Sequence, residues 1–192
     1  MSERIQNVSH QEEIEYCGRK FRSRLEVQTA KTLDALGIPY QYEERKIELL
    51  EGFRCPYQKN KVIGISYTPD FEIGPLMLEC KGFETPEWKI KRKLLYKWLM
   101  ENEPDTMFHQ IHDARKSLLE VLDRHLSYLG YAVRVTSKPS KKKSSESRMF
   151  DSVSQALDEL NIHTNLGSVL LSLTGKREYV LGYKFELVKL EL

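Results

Sequence analysis

The sequence of 192 residues has no run approaching the roughly 20 apolar residues needed to cross a bilayer. Its start, MSERIQNVSHQEEIEY, has neither the apolar stretch nor the basic end of a secretory signal. These absences predict a soluble, intracellular protein, and the composition points to the cytoplasm of a bacterial host. Cysteine is scarce: Cys17, Cys55 and Cys80 stand far apart, with no C-x-x-C spacing. An odd number cannot pair off completely, which argues against a disulfide framework and a cysteine zinc site. No Gly-rich phosphate loop, G-x-S-x-G elbow or Cys/His pair at meaningful spacing occurs. Nor does one sign of charge dominate, because the net charge is only +2.

What is present is 40% hydrophobic and 30% charged residues, enough for a real core under a charged surface. The basic residues are unevenly placed. PEWKIKRKLLYKW holds Lys89, Lys91, Arg92, Lys93 and Lys97 against the single acid Glu87, and KPSKKKSSESR forms a second basic run. Two separated clusters fit a polyanionic ligand, or else two solvated faces.

The second run, Lys138 to Arg148, has no apolar residue and reads as a linker. It divides the chain into a first domain over 1–136, a basic flexible linker over 137–149 and a small helical module over 150–192. In RSRLEVQTAKTLDALG, helical spacing of Leu25, Thr29, Leu33 and Leu36 predicts a helix capped by Ser23 and stopped by Gly37. PYQYEERKIEL alternates as a strand, and SYTPDFEI and LMLECKGF read as a hairpin turning at Gly74 and Pro75. Thr85 and Pro86 start a helix running to about Asn102. TMFHQIH predicts a strand, DARKSLLEVLDRHLSYLG a helix and YAVRVT a last strand. The expected fold is α/β, a mixed central sheet flanked by helices.

The chemistry concentrates in YTPDFEIGPLMLECKG. Alternation along a strand sends Glu79 and Lys81 to one side and Leu78 and Cys80 to the other, toward the core. If the preceding strand pairs beside it, Asp70 joins Glu79 and Lys81. Mg²⁺ prefers carboxylate, carbonyl and water oxygens, so Asp70, Glu79 and the backbone carbonyl of Cys80 form a candidate metal set, with Mn²⁺ able to substitute. The metal would polarise a phosphate and lower the pKa of a bound water, while Lys81 orients that water or stabilises developing charge.

P-D followed by E-x-K across adjacent strands resembles the PD-(D/E)XK nuclease superfamily. FRSRLEVQTAKTLDALGIPYQYEE, YTPDF, ECKG and KIKRKLL, in that order, resemble the phage junction-resolving endonuclease I family over about residues 21 to 112. The resemblance implies a restriction-endonuclease-like core in which Asp70, Glu79 and Lys81 are catalytic and Glu26 is a further metal-site carboxylate. It also implies an intertwined homodimer, leaving Glu26 to act in cis or in trans. Gln41 departs from the pattern, standing where the family carries another acid, with Glu43 and Glu44 close by.

On the helix from Pro86, 100° per residue gathers Trp88, Ile90, Leu94, Leu95, Trp98 and Leu99 on one apolar arc. Lys91 falls inside the arc, either snorkelling or reaching toward a phosphate, and Arg92 sits at its boundary; both are candidate DNA contacts. Lys89, Lys93 and Lys97 lie opposite, as a solvated face or as backbone contacts. His109 and His112, three residues apart on a strand, point to opposite faces and do not suit a shared metal.

In the tail, Ser152 caps one helix, a second runs near Leu166 to Leu173 before Gly175, and an extended end follows. The pair reads either as a helix-turn-helix or as a hairpin packed on the main domain. FDSVSQALDELNI and GKREYVLGYKFE resemble the DNA-binding repeats of homing endonucleases, which nominates Asn165, Ser168, Lys176 and Arg177 as DNA contacts. Lys141, Lys142 and Lys143 can follow the minor groove. The expectation is a metal-dependent endonuclease acting on double-stranded or branched DNA, a phage-type homing enzyme with a targeting tail. A structure-selective junction resolvase and a non-catalytic DNA-binding protein with a nuclease-like fold are the alternatives.

Overall fold

A computed structural model describes residues 14–141 and 143–191. The chain is a mixed α/β protein. Strands β1 (Ile14–Tyr16) and β2 (Arg19–Phe21) form an antiparallel hairpin ahead of α1 (Arg24–Leu36). The α1 boundaries are set locally. Ser23 accepts the N–H of Glu26 at the start, and Gly37, at φ 67°, supplies the left-handed residue that ends the helix.

The segment expected as one strand after α1 divides in two. β3 (Gln41–Tyr42) and β4 (Ile47–Leu50) join different sheets, separated at Glu43, whose φ is 49°. SYTPDFEI is likewise interrupted, giving β5 (Ile65–Tyr67) and β6 (Phe71–Ile73) with Thr68, Pro69 and Asp70 between them. Proline has no N–H for a ladder, so the break falls at Pro69. β4 pairs with β5 in a small separate sheet whose close approach requires Gly64: a Cβ there would lie 2.5 Å from the Leu50 carbonyl oxygen.

β6 turns through Gly74 and Pro75 into β7 (Leu76–Cys80), as the sequence predicts. Thr85 caps α2 (Pro86–Asn102), after which β8 (Met107–Ile111) runs parallel to β7. The four-stranded sheet therefore has the order β3-β6-β7-β8 and is mixed. Helix α3 (Lys116–His125) starts later than its sequence suggests, because the Asp113 carboxylate takes the N–H groups of Arg115, Lys116 and Ser117.

β9 (Tyr131–Ser137), β10 (Ser147–Phe150), α4 (Val153–Glu159), α5 (Leu166–Leu173) and β11 (Tyr183–Lys189) complete the fold. β9 lies between β10 and β11, antiparallel to both. Much of the stretch read as a flexible linker is thus the turn and second strand of a β9–β10 hairpin, with Ser137 N–H donating to the Glu146 carbonyl at 2.9 Å. The extended end expected after the two tail helices is strand β11. The cause of both pairings is non-local: β9 takes a partner along each edge, and Phe150 and Phe185 place buried side chains beside Val133 and Val135.

Two hydrophobic clusters lie on opposite faces of the mixed sheet. The larger includes Phe21, Leu33, Phe71, Leu78, Leu118, Val133, Val169 and Phe185, so first segment and tail share one core. The smaller holds Ile47, Tyr67, Met77, Trp88, Leu95 and Leu99 under α2. Each fully buried side chain of this size contributes about 1.5–3 kcal/mol. The α2 arc is narrower than its periodicity suggests, since Ile90 stays 61% exposed. A polar joint adds to the tail's attachment: buried Asp123 of α3 accepts Val153 N–H at 2.5 Å, Ser154 N–H at 3.1 Å and the Ser154 hydroxyl at 2.5 Å. No helix among the described residues is long and apolar enough to cross a membrane.

Candidate active site

The pairing of β6 with β7 sets Phe71 opposite Leu78, so the residue just before β6, Asp70, falls opposite Glu79. Asp70 is fixed by two contacts: its Oδ2 accepts the Cys80 N–H at 2.6 Å, and its backbone carbonyl accepts the Glu43 N–H at 3.2 Å. On β7, Leu78 and Cys80 enter the larger core, while Met77 belongs to the smaller one beneath α2. Glu79 shares the Met77 side and is buried. Its Oε2 accepts the Tyr67 hydroxyl at 2.8 Å, and Lys81 Nζ donates to its Oε1 at 3.3 Å. Glu79 thus touches Lys81, and Asp70 lies opposite Glu79, close enough for the Glu79 charge to act on it.

Lys81 is held from three directions. Its ammonium lies 4.9 Å from the centroid of the Trp88 ring, within cation–π range. Its backbone N–H donates to the Ile111 carbonyl at 2.9 Å, and its own carbonyl lies 2.6 Å from His112 Nδ1. A carbonyl only accepts, so His112 carries its proton on Nδ1.

Glu26 is buried, unlike an ordinary helix-surface glutamate. Its carboxylate accepts the Arg22 N–H at 2.9 Å, the Ser23 hydroxyl at 2.7 Å and the Tyr42 hydroxyl at 2.6 Å. Ser23-x-x-Glu26 is a capping-box pattern legible in the sequence. Beyond capping, the Glu26 charge acts on Asp70 and Glu79 of its own chain, raising the pKa of both.

Electrostatics bind these groups into one site. Burial, then the Glu79 charge, push the Asp70 carboxyl up to about 8, against the lowering effect of its bond from Cys80 N–H; Glu26 and Glu43 add to the rise. Burial also raises Glu79, opposed by Tyr67 and Lys81. Glu43 is raised by burial and restrained by Arg22, 2.9 Å away. Burial and the neighbouring carboxylates hold the Tyr67 and Tyr42 phenols above their ordinary range, so both remain donors. Sequence reasoning did not nominate Tyr67, Tyr42 or Glu43 for the site. The proximity of Glu43 was visible, but the tyrosine bonds depend on chain pairing.

The donor set suits a hard divalent cation. Carboxylates forced together in a half-buried place are held partly protonated, and a bound cation relieves that repulsion. Among the described residues no three His, Cys, Asp or Glu side chains form a ready cation cage. Mg²⁺ needs only one or two carboxylates, because waters and substrate phosphates complete its shell. Asp70 and Glu79 meet that requirement, with the Cys80 carbonyl and Glu26 as the further candidates.

The proposed DNA contacts are dispersed over the surface. Lys91 is half-buried on α2. Arg92 is committed internally, paired with Glu84 and donating to Gln110 Oε1 at 2.9 Å, which leaves less of its charge for DNA. Lys141 and Lys143 are exposed in the β9–β10 turn, and Lys142 lies outside the described residues. Asn165 caps α5 through Ser168 N–H at 2.8 Å. Lys176 and Arg177 are exposed beyond the end of α5. Val169, Leu170 and Ser172 of α5 are buried, so its start and following turn, rather than the whole helix, face outward. His109 and His112 engage different groups: His109 Nε2 lies 2.9 Å from His125 Nε2, whereas His112 meets Lys81.

Comparison of the chain with protein-family models, with curated proteins and with solved structures gives no match in any of the three.

Proposed function

We propose that this protein is a metal-dependent DNA endonuclease with a PD-(D/E)XK core, cutting phosphodiester bonds at Asp70, Glu79 and Lys81. The observation that carries the reading is Glu79 at the β6–β7 pair, in contact with Lys81 and opposite Asp70, whose carboxyl it and burial push up to about 8, with the Glu26 charge acting on both. A divalent ion held by Asp70 and Glu79 would polarise the phosphate and acidify a water. Tyr67 orients the Glu79 carboxylate, and Tyr42 orients Glu26. Lys81, fixed by Glu79, Trp88 and the Ile111 carbonyl, presents an ammonium to the developing charge.

The tail supplies targeting in this reading, through a helix-turn-helix whose outward parts are Asn165, Ser168, Lys176 and Arg177. Because tail and body share one core, their separation is fixed, and cleavage falls at a set offset from the sequence that the tail contacts. This favours the homing version over a junction resolvase.

The test is incubation with supercoiled plasmid and with a four-way junction, each with Mg²⁺ or EDTA, alongside Lys81→Ala. Mg²⁺-dependent cutting that the variant loses is the expected result, with discrete plasmid fragments for the homing version and junction preference for the resolvase. DNA binding without any cutting would move the non-catalytic reading ahead.

A further inference from the structure

A concavity of about 370 Å³ lies where α1, the approach to α3 and the ends of α5 meet. Three cations from separate parts of the chain line it: Lys31 on α1, Arg115 just before α3 and Lys176 beyond α5. No lining residue is acidic. Among the described residues none of the three forms an ion pair with a carboxylate. Lys31 lies 5.1 Å from the Tyr16 ring centroid, a contact that leaves its charge intact.

A second concavity, of about 420 Å³, gives the contrast. There Arg45 is matched by Glu72 at 2.7 Å and Glu103 at 2.5 Å, and with Glu44 in the lining acidic residues outnumber the single cation. In the α1–α3–α5 concavity three basic residues contribute to one lining that holds no acidic residue. Such an arrangement is repulsive when empty and favourable around an anion.

The concavity is joined to the candidate active site by one short segment. His112 meets the Lys81 carbonyl at 2.6 Å, the Thr32 hydroxyl donates to the Ala114 carbonyl at 3.3 Å, and Arg115 reaches the concavity. Helix α1 makes a second link, carrying Glu26 at its start and Lys31 about one and a half turns later.

Resting on the endonuclease reading, we infer that Lys31, Arg115 and Lys176 together clamp a backbone phosphate of the DNA at the joint between body and tail. Body and tail each contribute to the clamp, so it sets the register of the strand running to Asp70 and Glu79. Lys31 and Arg115 thereby join the DNA contacts, although neither belongs to a basic run of the sequence.

The test measures binding of the full chain to a labelled duplex and to a four-way junction by fluorescence anisotropy, over a salt series with Ca²⁺ replacing Mg²⁺. The variant combines Lys31→Gln, Arg115→Gln and Lys176→Gln; the charge-matched control combines Lys59→Gln, Lys61→Gln and Lys184→Gln. Each neutralised phosphate contributes about 0.9 to the slope of log K against log salt, so the variant, which releases the one clamped phosphate, is expected to lose about 0.9, and the control close to none. Circular dichroism checks folding, and if the triple variant unfolds the single variants are each expected to show a part of that loss, the control variants none. Equal slopes for wild type and variant, an equal fall in the control, or no DNA binding by the wild type would overturn the proposal. So would inorganic phosphate raising the melting temperature of the wild type alone while DNA slopes agree, which would make this a free-anion site. Two readouts separate the two ideas: loss of cleavage in Lys81→Ala tests the endonuclease reading, while the clamp is read only from the slope difference between wild type and the Lys31, Arg115 and Lys176 variant.

Discussion

On one face of β7, Leu78 and Cys80 join Leu33 of α1 and Leu118 of α3 in the larger core. On the other, Met77 and Glu79 meet Tyr67 and the α2 side chain Trp88 around a smaller one. Both sets come from one strand of five residues by simple alternation. The first face is closed over by helices on all sides and holds the strand in place. The second is closed only by α2 and the small β4–β5 sheet, and it ends at Lys81, whose side chain keeps 31% exposure. A rigid strand with one anchored face and one incompletely covered face can carry charge at a fixed position without losing the fold.

Substitutions that hit one face and spare the other test this contrast. Glu79→Gln should have the largest effect, lowering cleavage by about 10³-fold or more, roughly 4 kcal/mol of transition-state stabilisation, while melting stays near wild type. Leu78→Ala, one residue away on the anchored face, should do the reverse. It should cost about 2–5 kcal/mol in denaturant titration and leave the catalytic rate of the remaining folded protein nearly intact. Comparable loss of stability in both variants would erase the distinction.

The pH dependence sharpens the comparison. Asp70 has a folded-state pKa raised from 3.8 to about 8, so the folded protein holds a proton that the unfolded chain releases. Its contribution to metal-free stability is full below about pH 4 and is lost as pH rises toward 8. Asp70→Asn should remove that decline. A cation needs the ionised form, so Mg²⁺ affinity should rise up to about tenfold per pH unit between 6 and 8 and then level off. Thermal shift with and without Mg²⁺ at each pH measures both trends. The smallest effect is expected from Tyr67→Phe, which removes only the donor that orients Glu79: about tenfold weaker metal binding, with little change in unfolding midpoint.

Local signals carried much of the fold. Ser23 and Gly37 bound α1, Thr85 and Pro86 start α2, and Gly74 with Pro75 turns β6 into β7, each through chemistry within a few residues. The meeting of Asp70 with Glu79 and Lys81 was legible for the same reason, since strand alternation and one tight turn suffice to specify it. What depends on distant partners was not legible. The run from Lys138 to Arg148 has a linker's composition, yet it carries a hairpin turn because β9 offers a free edge to Ser147–Phe150. Arg92 read as available for DNA until Glu84 and Gln110 were brought beside it. The tyrosine bonds to Glu79 and Glu26 cross between elements and leave no spacing pattern, and the burial of Glu26 depends on the same distant partners.

The most direct test of the open face as a cation site is Mg²⁺ titration by calorimetry at pH 7, in two buffers of different ionisation enthalpy, for wild type and Asp70→Asn. With the Asp70 carboxyl at about 8, the account predicts binding that releases close to one proton in the wild type, and both binding and release lost in the variant. Binding without proton release, equal binding by Asp70→Asn, or no binding to the wild type would contradict it.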